Sequence, residues 1–395
     1  MELKDVVILD GVRTAVGGFG GSLSSMSPAE LGTVAAVEAI RRVGVPAGEI
    51  DHSVFGHIVT TGPQDAYVAR HIALNAGLPK TSAAFNVNRL CGSAVQSVIS
   101  AAQMILLGDS RVALAGGAEC MSRGAYVLPN ARQGLRMGDG AVVDLTVGVL
   151  SDPFGSGHMG VTAENVAREY GLTRGDLDAF AAESHRRACA AIEQGRFESQ
   201  IVPVTVRQGR QEISFCRDEH PRAGTTVESL GQLKPVFRKD GIVTAGNASG
   251  LNDGAAAMVL TSAAEAARRG LKPRARLVGY AFGGVGPEVM GLGPIPAVQR
   301  VLAQTGLKVA HLDVIESNEA FAAQAIAVCR VLGFDEDKVN PNGGAVALGH
   351  PVGATGSIII VKLLAELDRI DGRYGLVTMC IGGGQGIALV VERLA

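Results

Sequence analysis

The sequence predicts an α/β protein in which one βα-rich half occurs twice, with a long loop-rich segment inserted. Three observations predict it. Short apolar strand patterns alternate with helical patterns toward both ends of the chain, and the stretch between them loses that alternation. In the first half, a loop with Cys91 leads into a helix and then GDSRVALAGG; in the second, a loop with His350 leads into a helix and then DGRYGLVTMCIGGG. Two loop–helix–strand–glycine units of similar length are most economically two copies of one half.

The elements follow in order. Val6 to Leu9 reads as a short buried strand. Ser27 then fits an N-cap, Pro28 the first helical position and Glu30 the third, a capping box. The apolar stripe from Leu31 to Ile40 continues that helix. Leu90-Cys91-Gly92-Ser93 ends a loop and starts a helix running to about Leu107, and Arg111 to Ala115 is a strand that stops at Gly116-Gly117. From about Met121 to Gly246 the text is more polar. One helix is clear there, from Thr173 to about Gln194, while Asp218 to Gly241 is mostly loop. Afterwards come a strand at Asp313–Glu316, helices at Ala320–Leu332 and Ser357–Leu367, and strands at Leu376–Cys380 and Ile387–Val391 around IGGGQG. The expected divisions are a first core half over 1–120, an insertion over 121–246, a return to the first half over 247–273 and a second half over 274–395.

Hydrophobic residues at 47% and charged residues at 19% fit a folded chain with a sizeable core. The net charge of −2 leaves no overall nucleic-acid footprint, so an anionic ligand must be met by a local basic patch. The six cysteines, at 91, 120, 189, 216, 329 and 380, include no CxxC pair and form no disulfide framework in a chain this long. MELKDVVILDGVRT runs straight into a strand pattern without a signal peptide. No apolar run approaches the roughly 20 residues of a membrane span, and VERLA is not a peroxisomal address of the Ser-Lys-Leu type. A soluble, reducing, cytoplasmic setting with no membrane or nucleic-acid partner is the expectation.

Four motifs carry chemistry. In NRLCGSA, Cys91 stands at a helix start, where the macrodipole and free N–H groups favour a thiolate. Taken alone, such a cysteine is equally a small core residue. In NPNGGAVALGHPVGATG, His350 sits between glycine-rich turns; an imidazole there can take a thiol's proton or simply brace a loop. In TMCIGGGQG, Cys380 ends a buried strand facing a triple-glycine loop whose N–H groups could meet an oxyanion. A strand rather than a helix follows, so this is not a dinucleotide fingerprint. In SNEAFAAQ, Asn318 lies at a strand-to-helix junction, able to hold a water or to serve as an N-cap. There is no HExxH, and no metal constellation appears. Cys120, Cys189, Cys216 and Cys329 read as packing residues.

In this order and spacing, NRLCGS, NEAF, GGAVALGHPVGATG and CIGGGQG resemble the thiolase family. So do GHMGVTAENVA (Gly157 to Ala167) and VTAGNASGLNDGAAA (Val243 to Ala257), and the resemblance covers essentially the whole chain. It implies a duplicated core layered α-β-α-β-α with an inserted loop domain. It also implies reversible Claisen condensation of two acetyl-CoA to acetoacetyl-CoA and CoA, with coenzyme A thioesters as substrates and no cofactor. Cys91 would be the acyl-carrying nucleophile and His350 its base. Cys380 would be the acid/base at the α-carbon of the second substrate. Asn318 would hold a water that, with His350, stabilises the enolate oxygen, and the N–H groups of Cys91 and Gly382 would form a second oxyanion hole. For coenzyme A, His158 and Ser249 would touch the pantetheine arm and Arg222 and Ser229 the adenosine end. Leu150, Met159, Phe237, Met290 and Phe321 would line the channel. Dimers pairing into a homotetramer are the implied assembly.

Where the family commonly has CGSG this chain has CGSA, placing a methyl at Ala94 in the first turn of the nucleophile's helix. The small residues Gly155, Ser156 and Gly157 would leave room for acyl groups longer than acetyl. A broad-chain 3-ketoacyl-CoA thiolase of fatty-acid degradation is the alternative activity. A ketoacyl-carrier-protein synthase would use one Cys and two His, and a non-catalytic acyl-CoA-binding homologue would not need all four of Cys91, His350, Asn318 and Cys380.

Overall fold

The computed structural model describes residues 2–394. Its main sheet has 11 strands. The principal ones are β1 (Val6–Thr14), β2 (His52–Gly56), β3 (Ala83–Val87), β4 (Val112–Cys120), β5 (Asn252–Ser262), β6 (Ala275–Gly284), β7 (Val314–Ser317), β8 (Tyr374–Ile381) and β9 (Gln385–Arg393). Their spatial order is β7-β8-β9-β6-β1-β5-β4-β2-β3.

The pairing displays the duplication. In the first half β1 runs antiparallel to β5 and β5 antiparallel to β4, while β4, β2 and β3 are mutually parallel neighbours. In the second half β6 is antiparallel to β9, β9 antiparallel to β8, and β8 parallel to β7. A parallel bridge from Ile315 to Val339 stands where β3 stands in the first half. The irregularities correspond too. The β1–β5 register shifts between Ile8 and Asp10, and the β6–β9 register between Leu277 and Gly279. The halves are sewn together at Val7 opposite Arg276 and Ile8 opposite Ala275.

Alternate side chains on each strand face opposite sides, and both sides are covered, which gives five layers. On the outer face of the first half, Val7, Leu9 and Leu114 pack with Leu31 and Ala35 of helix α1 (Pro28–Val43). α1 starts with the predicted box, Ser27 and Glu30 capping each other. Between the halves, Val6, Ile8, Val377 and Leu389 pack on helices α2 (Ser93–Leu107) and α7 (Thr355–Ile370). Outside the second half, α5 (Pro294–Thr305) and α6 (Ala322–Leu332) cover Ile315, Leu376 and Val390. The stretch Leu90–Leu107 is long and apolar enough to cross a membrane by composition; here it is mostly buried between the two halves of the sheet.

Strand β4 does not stop at Gly116-Gly117, as the sequence implies, but runs on to Cys120. The glycines answer a different need. A Cβ on Gly117 would come within 2.3 Å of the Gly353 carbonyl and 2.8 Å of Ala94 Cβ. The Ala94 methyl thus rests on Gly117, and the loop after His350 presses on the strand.

Residues 121–246 hold helices α3 (Met159–Glu169) and α4 (Arg174–Glu193), the latter capped by Thr173. They also return a short strand, Ile201–Val202, to pair with Arg13 and Thr14. A buried ion pair fastens this segment to β1. Arg13 donates to both Asp218 oxygens, at 2.7 and 2.9 Å, and to Gln200 Oε1 at 2.8 Å, over the Phe197 ring. Val16 N–H donates to the same carboxylate at 2.8 Å. Asp218→Asn leaves the guanidinium buried without its counter-charge, and should cost about 3–5 kcal/mol, read as a lowered thermal midpoint.

Candidate active site

The Cys91 loop is set by local backbone chemistry. Ser93 Oγ donates to the Leu90 carbonyl and accepts from Arg89 N–H, both at 2.7 Å. That clasp holds Leu90 at φ +47°, a left-handed conformation costly for a bulky residue. Cys91 follows, half-buried, just before α2. The N–H groups of Gly382 and of Cys91 itself both point at its sulfur. They pull toward thiolate, but burial prevails and pushes the thiol up to about 11.

Gly382 lies close against its neighbours here. A Cβ there would lie 2.9 Å from Met159 Cε and 3.1 Å from Leu90 Cδ1. Cys380 stands on β8, paired in register with Gly386 of β9. It is fully buried among Met159, Met290 and Phe321. Burial raises this thiol far above its ordinary value, and the Cys91 charge adds to the effect, so the two sulfurs are electrostatic neighbours.

His350 is fixed on both sides. Its N–H donates to Asn252 Oδ1 at 2.9 Å, and Asn252 in turn donates to the Gly17 carbonyl at 3.0 Å. The Thr355 hydroxyl donates to the Pro351 carbonyl at 2.9 Å, so it accepts the Nδ1 proton of His350 at 2.6 Å. That leaves the lone pair on Nε2, which Asn318 Nδ2 approaches to 3.4 Å. Burial lowers the imidazole to about 4, so it is a neutral base at pH 7. Asn318 itself is held by its N–H to the Thr378 carbonyl at 3.0 Å and by Gln324 at 3.2 Å. Its Oδ1 is buried and meets no protein donor. It is not the N-cap of α6, which is Phe321.

A cavity of about 490 Å³ opens over these groups. Cys91, His350 and Gly382 line it, and so do His158, Ser249, Arg222, Leu150, Met159, Phe237, Met290 and Phe321. Asn318 and Cys380 stand behind its wall. His158 caps α3, accepting from Gly160 N–H at 3.1 Å, and stacks on Phe237 with ring centroids 4.7 Å apart. Arg222 is carried by a loop whose backbone N–H donates to His185 at 3.1 Å. Ser229 is not brought in. It closes a capping box with Thr226 at the start of the helix Val227–Gly231, and that box uses its hydroxyl. Gly155, Ser156 and Gly157 form a turn around Asp152 Oδ2, which accepts from Ser156 N–H at 2.9 Å. They do not line the cavity, so their small size does not widen it directly.

Sequence reasoning missed Asn252 and Thr355. Thr355 had a visible signal, a hydroxyl five residues past the histidine in the first turn of a helix. Asn252 had none short of the fold. Among the described residues, no cluster of three or more His, Cys, Asp or Glu side chains could hold a metal ion.

A thiol, a neutral imidazole and paired N–H donors at one apolar cavity, with a second thiol behind its wall, define an acyl-transfer site on a duplicated α/β core. Comparison with known proteins agrees. The family model for the N-terminal domain of thiolase matches residues 6–264, and that for its C-terminal domain residues 271–393. The beta-ketothiolase BktB of Cupriavidus necator is 56% identical, with 99% of this chain and 100% of the relative covered. An acetyl-CoA acetyltransferase of Pseudomonas aeruginosa is 51% identical over the same shares. The crystal structure of human mitochondrial 3-ketoacyl-CoA thiolase in complex with CoA superposes with a TM-score of 0.96 at 40% identity, covering 100% of this chain and 99% of that one. The chain belongs to the thiolase family.

The raised Cys91 value has a direct consequence. Only the thiolate is alkylated, and below its pKa the thiolate fraction grows tenfold per pH unit. Iodoacetamide labelling of Cys91, followed by peptide mass analysis, should therefore keep accelerating past pH 8.5 toward about 11.

Proposed function

We propose that this thiolase catalyses the reversible condensation of two acetyl-CoA to acetoacetyl-CoA and CoA through an acetyl group carried on Cys91. His350 Nε2 takes the Cys91 proton as the thiolate attacks the first thioester. The N–H groups of Cys91 and Gly382 receive the oxyanion; the Cys380 thiol protonates the departing CoA sulfur and is left as a thiolate, while His350 keeps its proton on Nε2. Cys380 then removes an α-proton from the second acetyl-CoA. A thiolate whose proton affinity is raised by burial is the stronger base, which suits it to a weak carbon acid. The enolate oxygen is met by His350 and by a water on Asn318, whose free Oδ1 can accept from that water. The enolate carbon attacks the acetyl carbonyl, and the tetrahedral adduct collapses to expel the Cys91 sulfur, which takes its proton back from His350. Separate donor sets suit the two charges, which develop at different moments.

The single observation that carries this reading is the pair of N–H groups aimed at Cys91 Sγ beside a buried neutral imidazole. For coenzyme A, His158 and Ser249 serve the pantetheine arm, Arg222 the adenosine end, and Leu150, Met159, Phe237, Met290 and Phe321 the channel wall. Their shared cavity supports the assignment, as does the human relative crystallised with CoA. Ser229 retains a place near the adenosine end only if its capping box opens. A homotetramer is the assembly we infer, supported by exposed apolar side chains at Tyr126, Leu128, Leu135, Met137 and Phe154.

Mixing the protein with acetyl-CoA should add one acetyl group, and peptide mapping should place it on Cys91; an unmodified Cys91 with CoA still bound would point to a binding protein instead. His350→Asn should lower kcat by about 10²–10⁴-fold and Asn318→Ala by about 10²–10³-fold. Cys380→Ala should still acetylate at Cys91 but form no acetoacetyl-CoA. Rates with acetoacetyl-CoA against a long-chain 3-ketoacyl-CoA separate this activity from a broad-chain one.

A further inference from the structure

Beneath the site lies a charge cluster that none of these steps uses. Glu119, near the end of β4, is fully buried. Its Oε2 accepts from Gly353 N–H at 2.8 Å and Ile58 N–H at 3.1 Å, and its Oε1 accepts from Val59 N–H at 3.1 Å. His57 Nδ1 lies 2.9 Å from Oε1, and His57 Nε2 lies 3.3 Å from Asp65 Oδ2. Burial opposes a charge on this ring, but the two flanking carboxylates raise it to about 10, so it is an imidazolium at neutral pH. One cation between two carboxylates leaves the buried cluster with a surplus negative charge.

The donors come from two segments that flank the site. Gly353 belongs to the loop that carries His350. Ile58 and Val59 pack with Met121 and Val352 against Leu90 and Cys91. A Cβ on Gly353 would stand 2.5 Å from Glu119 Oε2, so the loop sits directly on the carboxylate. An amide side chain could not replace it, since its NH₂ would confront backbone N–H groups. The charge also reaches the nucleophile, because Glu119 opposes ionisation of Cys91. The charged and titratable groups around Glu119 are His57 at the end of β2, Asp65 beyond it and Cys91 from the nucleophile loop; the histidine loop offers it only an N–H.

We propose that Glu119, with His57 as its counter-ion, is a positioning residue for acyl transfer: it clamps the His350 loop to the Ile58–Val59 segment, which packs against the nucleophile loop. The proposal rests on Cys91 being the nucleophile. Clamping fixes the base against the sulfur, where small misplacements cost rate steeply. The surplus charge adds a smaller push to the burial that already keeps the resting sulfur a thiol.

The test uses the full-length protein, its Glu119→Gln and His57→Gln variants, and the pH profile of Cys91 alkylation by iodoacetamide. With the carboxylate neutralised, the Glu119→Gln profile should move to lower pH by about one unit, and kcat for acetoacetyl-CoA thiolysis should fall by about 10²-fold while KM stays within about twofold. With the cation removed, the His57→Gln profile should move the opposite way. A merely loosened fold would not give shifts of opposite sign. If Glu119→Gln does not fold, the alkaline shift in His57→Gln decides the matter. Profiles that coincide with the parent's, or a Glu119→Gln kcat within twofold of it, would overturn the proposal. Acetylation of the parent by acetyl-CoA separates the two levels. No acetyl on Cys91 sinks the nucleophile assignment, whereas an acetylated parent with unmoved variants sinks only the role of Glu119.

Discussion

Two helices touch at their first turns, and the rest of the site depends on that contact. A Cβ on Gly356, in the first turn of α7, would lie 2.5 Å from Val95 N in the first turn of α2. Nothing larger than hydrogen fits between them. Cys91 stands just ahead of one helix and His350 just ahead of the other. Closing the helices therefore brings together a sulfur and an imidazole that lie more than half the chain apart. Each half of the duplicated core supplies one helix, one preceding loop and one reactive group. Neither half alone contains the pair.

Burial is the second organising force, and it acts with opposite sign on the two kinds of group. It lifts both thiols and lowers the imidazole, so all three rest uncharged. Charge then appears only when a proton moves, which is when the paired N–H donors and Asn318 become useful. Against that neutral background the Glu119–His57–Asp65 cluster is exceptional, since its charges persist.

Much of this was legible in the amino-acid order, and the reasons are local. The Ser27–Glu30 box is an i,i+3 signal, and the structure honours it. Cys91 and His350 stand out by motif at loop-to-helix junctions and the channel residues by resemblance, and the structure gathers them around one cavity. What sequence could not show is long-range geometry. Gly116-Gly117 reads as a strand stop until one knows that a loop some 240 residues on leans against it. Glu119 and His57 carry no motif, since their partners are backbone N–H groups of distant loops. Ser229 looked available for a ligand because its bond to Thr226 depends on a short helix inside a stretch that reads as loop.

Counting from the matching register shifts, Arg13 on β1 corresponds to Phe282 on β6. The first half, which bears the long insertion, has a guanidinium there that needs Asp218; the second, which lacks such an insertion, has an aromatic ring that needs no counter-charge. The excursion has thereby become compulsory. Cutting it out to make a minimal scaffold would strand a cation in oil, so any engineered trimming of this enzyme has to begin by making position 13 apolar.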